Sequence, residues 1–173
     1  MRAWFLATRP KTLTGAIAPV LVGAAFAYAS SGAVSMLMPF LLCLLFAVLM
    51  QIDANLINDY FDFKKGTDRE DRLGPERACA QGWITPRAMQ WGIGVMTALS
   101  CLVGIAILLV HMQWELLLVG ILCVVFCFLY TTRLSYLGWG DVLVLVFFGF
   151  VPVVFTHYVM TNGGWSVPLL IAG

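Results

Sequence analysis

Apolar residues fill this chain in five long runs, roughly Thr12–Ser30, Met36–Ile57, Ala88–Val110, Trp114–Tyr130 and Asp141–Met160, with short polar breaks between them. Each run is close to the ~20 residues a helix needs to cross a hydrocarbon core of ~30 Å. Lipid cannot satisfy an open backbone, so runs of this length are expected to be helical. The pattern predicts an all-α fold, a multi-span transmembrane helical bundle with five spans and the start of a sixth near Ser166. A span of only a few residues is expected to continue, so residues 1–173 are expected to form the N-terminal part of a single longer transmembrane domain.

Local signals agree with these boundaries. Thr85 followed by Pro86 supplies an N-cap and a first-turn proline for the third span. Gly138 and Gly140 break the chain before the fifth. Trp114, Trp139 and Trp165 fall at span ends, where amphipathic rings prefer to lie. Composition points the same way. The chain is 61% hydrophobic and 11% charged, against about 25% charged in a soluble domain. The first span has the look of a signal peptide, with Arg9 and Lys11 before it and "AFAYAS" near its end. Four further spans make the chain an integral membrane protein in either case.

Charge then sets the orientation. All ten Lys and Arg residues lie at the N-terminus (Arg2, Arg9, Lys11), between Lys64 and Arg87, or at Arg133. In a five-span layout these positions share one side of the membrane, and positive charge is retained in the cytoplasm. The N-terminus and the connection at about 63–87 are therefore expected to be cytoplasmic.

That connection also adjoins the acids, seven of nine of which lie between Asp53 and Glu76. On a helical wheel Gln51, Asn55, Asn58, Asp59 and Asp62 share one arc of about 100°. A polar stripe in a membrane helix must face protein or a wet cavity. Carboxylates on neighbouring turns repel unless a cation lies between them, and Mg²⁺ suits a site of one or two carboxylates shared with phosphate oxygens and water. Lys64, Lys65, Arg69, Arg72 and Arg77 follow directly, so cation-binding and anion-binding groups alternate as a diphosphate requires. Beside a hydrophobic interior, the pattern points to a ligand with a diphosphate head and a long hydrocarbon tail.

Plainer readings account for other residues. Any single Lys or Arg is also explained by the charge rule for topology, and Glu70, Asp71 and Glu76 read as solvated loop charges. Cys123 and Cys127, four apart, suit helix packing better than a metal. His111 reads as interfacial and His157 as packing. Asp53 falls on the opposite face from the stripe, with no role that the sequence assigns.

"NDYFDFKKGTD" resembles the first aspartate-rich motif of the UbiA superfamily of intramembrane aromatic prenyltransferases, N-x-x-x-D-x-x-x-D. Asn58 and Asp62 match its first two positions; the third falls on Gly66, with Asp68 two residues later. That departure is similar to the branch acting on 1,4-dihydroxy-2-naphthoate in menaquinone synthesis, as are Arg72, Gly74-Pro75, Arg77, "TRPKTL" and "GWGDVLVLVFFGF".

The resemblance implies a bundle of about nine spans, each of about 20 residues, and an Mg²⁺-dependent enzyme of the bacterial cytoplasmic membrane. The reaction it implies is transfer of a polyprenyl group from polyprenyl diphosphate to 1,4-dihydroxy-2-naphthoate, with loss of CO₂, giving demethylmenaquinone. Asp59, Asp62 and Asp68 are the expected metal ligands, with Asn58 orienting them in catalysis. Lys65, Arg72 and Arg77 are expected on the diphosphate. Asn55, Arg9, Lys11, Tyr130 and Arg133 are further substrate candidates, and Tyr136 with Tyr130 offers an aromatic face to an allylic cation. The expected partners are the two substrates and the lipid bilayer, with no nucleic acid. Two rivals stay open: a 4-hydroxybenzoate-type acceptor, and a cation transporter using the acidic stripe. A phosphoalcohol transferase would need a D-G-x-x-A-R spacing that the sequence lacks.

Overall fold

The computed structural model describes residues 2–31, 37–66, 77–132 and 140–164, and every regular element among them is helical. Helix α1 (Arg2–Ala7) and a 3₁₀ turn (Pro10–Thr12) lead into α2 (Thr14–Ser31). Then follow α3 (Leu37–Lys65), α4 (Pro86–His111) and α5 (Glu115–Thr132). The last helix runs as α6 (Gly140–Val144), a π-helical stretch (Leu145–Phe150) and α7 (Val151–Met160).

A helix lies at each of the five predicted runs, in an all-α membrane bundle. Among the described residues three helices are by themselves long and apolar enough to cross: Leu37–Lys65, Pro86–His111 and Val142–Met160. Arg2–Thr12 with Thr14–Ser30 passes the same test as a pair bent by 48°, whereas Glu115–Tyr130 is apolar but shorter. The sixth run lies outside the described residues.

Each boundary has a local cause. Thr85 caps α4 by accepting from the Ala88 N–H at 3.3 Å, with Pro86 in the first turn. Helix α3 continues past the end of the apolar run at Ile57 to Lys65, so Asn58, Asp59 and Asp62 stand on helix, as the helical wheel places them. It stops at Gly66, whose φ of 66° is the left-handed conformation that glycine adopts without strain. The bend before α2 centres on Arg9, a left-handed non-glycine residue at φ 50°, followed by Pro10. In the last helix Pro152 cannot donate, and the Val151 N–H reaches back to the Val146 carbonyl in the wider π turn.

Helix α3 is the hub and packs against α2, α4, α5 and α7. One core cluster joins Leu56 and Ile57 of α3 to Met89 and Ile93 of α4, with Ala7 and the segment Ala78, Cys79 and Ile84. A second cluster, Val20, Cys43, Ile107 and Val159, ties the opposite end. Helices α2 and α7 approach closely at Gly23, where a Cβ would meet the Val153 carbonyl oxygen at 2.4 Å.

Candidate functional site

A cavity of about 430 Å³ lies between α2, α3, α5 and the last helix. Its walls are mostly apolar and aromatic, including Phe46, Phe126, Phe147 and Phe155. Thr12, Gln51, Asn58 and Tyr130 bring polar atoms to it, and no charged side chain among the described residues lines it. Cys123 and Cys127, expected to pack between helices, line this cavity as free thiols.

The polar stripe on α3 is divided among three neighbours. Asn58 and Gln51 face the cavity. Asn55 is 3% exposed and donates through Nδ2 to the Thr8 carbonyl and to the Thr12 hydroxyl, both at 2.9 Å. Its Oδ1 accepts from Gln51 Nε2 at 3.4 Å. The Asn55 amide is thus committed to the bent turn before α2, which carries Arg9 and the exposed Lys11.

Asp59, at the edge of the stripe, is 1% exposed. It accepts from the Ala78 N–H at 2.8 Å and the Cys79 N–H at 2.9 Å, one at each carboxylate oxygen. Asp62, one turn on, pairs with Arg77, whose side chain is 6% exposed against 18% for Asp62. Lys64 and Lys65 are exposed at the helix end. Tyr130, from the end of α5, lines the cavity. Asp68, Arg72, Arg133 and Tyr136 lie outside the described residues.

Among the described residues no three His, Cys, Asp or Glu side chains gather into a metal cage. Asp62 and Asn58, four apart on α3, instead offer a carboxylate and an amide oxygen. Such a hard, sparse donor set fits Mg²⁺, which keeps several waters and shares phosphate oxygens.

The groups away from the stripe also find places. Asp53 is 1% exposed and takes a 2.6 Å hydrogen bond from Thr97 of α4. Its Oδ1 has no hydrogen-bond partner among the described residues, nor has the fully buried Ser100 hydroxyl. His157 is buried, with Nε2 3.4 Å from the Ser30 hydroxyl, consistent with packing. Tyr158 donates to Glu115, joining the last helix to the start of α5. The Asn55–Thr12 and Asp59–Ala78 bonds have no local signal in the sequence, since each joins separate segments of the chain.

Residues 16–173 match the UbiA prenyltransferase family. The 1,4-dihydroxy-2-naphthoate octaprenyltransferase of Escherichia coli (strain K12) is 38% identical over 178 residues, covering 98% of this chain and 56% of the relative. The protein of the same description from Haemophilus influenzae is 35% identical over 170 residues, with 94% and 55% covered. That from Mycobacterium tuberculosis is 39% identical over 158 residues, with 90% and 53% covered. The chain therefore spans about half the length of these relatives.

Proposed function

The chain belongs to the UbiA prenyltransferase family, and on that premise we propose that the protein containing it prenylates 1,4-dihydroxy-2-naphthoate. The donor is a polyprenyl diphosphate, the ring loses CO₂, and the product is demethylmenaquinone in its reduced, quinol form. Residues 1–173 are the N-terminal part of one prenyltransferase domain in a bacterial cytoplasmic membrane, with Asp62 at the cytoplasmic end. The observation that carries this reading is the apolar, aromatic-walled cavity with Asn58 and Tyr130 on its lining and the Asp62–Arg77 pair one turn beyond Asn58. A lipid-tailed diphosphate needs both halves. The acceptor follows from the names of the similar bacterial proteins.

In the proposed mechanism Asp62, with Asn58 and Asp68, would hold Mg²⁺, which when bound would supply charge neutralisation to the diphosphate. Lys65, Arg72 and Arg77 donate to the phosphate oxygens, Arg77 through a planar fork suited to two oxygens at once. The apolar cavity wall takes the tail and excludes water from the allylic carbon. Tyr130 offers that carbon an aromatic face. The bond from the allylic carbon to diphosphate oxygen breaks, its electron pair leaving with the diphosphate. The ring carbon bearing the carboxylate attacks, and the carboxylate departs as CO₂, returning its bonding pair to the ring. Arg9, Lys11 and Arg133 are the cations available to orient that carboxylate beforehand. The absence of charged side chains from the cavity lining among the described residues weighs against a cation path.

The test uses the whole protein with carboxyl-labelled 1,4-dihydroxy-2-naphthoate. Labelled CO₂ is expected only when Mg²⁺ and a polyprenyl diphosphate are both present. Prenylated 4-hydroxybenzoate, with no product from the naphthoate, would overturn the choice of acceptor.

A further inference from the structure

Two aspartates one turn apart on α3 have unlike surroundings. Asp62 is part-exposed and faces the Arg77 guanidinium. Asp59 is enclosed, and each of its oxygens takes one of two consecutive backbone N–H groups. Charge-assisted bonds of this kind are about twice as strong as neutral ones. The donors belong to Ala78 and Cys79, themselves 1% and 3% exposed and packed on Leu56, Ile57 and Met89. The Ala78 carbonyl in turn accepts from the Trp83 N–H at 2.9 Å and the Ile84 N–H at 3.2 Å, closing the turn that leads to α4.

We propose that Asp59 is a positioning residue: it grips the backbone at 78–79 and thereby sets the adjacent Arg77 against Asp62, where the diphosphate is read. The diphosphate part rests on the function proposed above; the grip itself does not. Each Asp59 oxygen keeps a second lone pair, but at 1% exposure a metal with its waters would reach it only by opening the packed cluster that holds the two amides, leaving those donors poorly satisfied. Asp62, by contrast, is part-exposed and meets Arg77 through a side chain, which can move with a ligand. The amide of an Asn at position 59 could accept at one oxygen only and would turn its NH₂ toward the second donor. The carboxylate at this position is therefore matched to two N–H groups of the chain itself.

Cys79 makes this testable without turnover, because its buried thiol becomes reachable once the grip is lost. In the whole protein in detergent, maleimide labelling is resolved by residue, with buried Cys43 reporting global unfolding. Asp59→Asn is expected to speed Cys79 labelling about tenfold or more, the factor for one lost buried hydrogen bond, and to leave Cys43 protected. Its KM for the diphosphate should rise while its Mg²⁺ requirement stays near that of the unmutated protein. Asp62→Asn should do the reverse, keeping Cys79 protected and raising the Mg²⁺ requirement. A raised Mg²⁺ requirement in Asp59→Asn with Cys79 still protected would overturn the proposal and make Asp59 a ligand. Should Asp59→Asn unfold the chain, amide exchange in the unmutated protein decides. Ala78 and Cys79 exchanging much more slowly than the exposed Ala80 supports the grip, and equal rates overturn it. If the unmutated protein transfers no prenyl group, the diphosphate role falls, while labelling and exchange still judge the grip.

Discussion

Asn55 and Thr12 are 43 residues apart in sequence, and the side-chain amide of the first donates to the hydroxyl of the second at 2.9 Å. The other hydrogen of that amide goes to the Thr8 carbonyl, also at 2.9 Å. One side chain of α3 thus holds both sides of the bend that carries Arg9 and Lys11. Asn55→Leu is expected to lower stability by about 1–3 kcal/mol, the cost of stranding buried polar partners. In the whole protein it should also raise KM for the carboxylate-bearing acceptor more than KM for the diphosphate. Thermal unfolding and paired KM measurements check this; equal effects on both substrates would detach the bend from acceptor binding.

Asp53 gives a prediction about stability alone. Its carboxyl is buried between α3 and α4 with Thr97 as its donor. Thr97→Val removes that donor and should cost about 1–3 kcal/mol. Replacing both, as Asp53→Leu with Thr97→Val, should recover most of the loss, because no polar group is then left unpaired. Simple additivity of the two substitutions in thermal unfolding would show that the pair does not interact.

Orientation is checked by labelling from outside. In a background without native cysteines, Gln81→Cys and Trp114→Cys place thiols at exposed positions at opposite ends of α4 and its following turn. Sealed right-side-out vesicles treated with a membrane-impermeant reagent should label position 114 and spare position 81. Labelling of position 81 under those conditions would reverse the proposed sidedness.

Much of this architecture was legible in the sequence. Five apolar runs became helices, and Thr85–Pro86 caps α4 as expected. The stripe on α3 was also legible as a face, but periodicity gives the direction of a side chain and not its neighbour. Asn55 meets the turn at 8–12 on one flank, Asp59 meets residues 78–79 on the other, and Asn58 lies on the cavity lining. Those partners arrive from distant parts of the chain, so the wheel joined in one site what packing separates. Pro152 was equally visible, but its accommodation by a π turn depends on how the helix packs along the cavity. Asp53 stood unexplained for the same reason, since its partner Thr97 lies on another helix.

If the Asp62 end of the cavity holds the diphosphate through Mg²⁺, as proposed, then Asp62 and Glu70 must respond very differently to loss of charge. Prenyl transfer by the whole protein is measured for Asp62→Asn and Glu70→Gln, each removing one negative charge from the same stretch of sequence. Losing a shared ligand should lower kcat/KM by a factor of about 100 or more, on the scale of removing one catalytic electrostatic group. Glu70→Gln, at a charge that reads as solvated in the sequence, should stay within about twofold. Equal losses at both positions, with both variants folded, would contradict the account and leave the acids acting only through their summed charge.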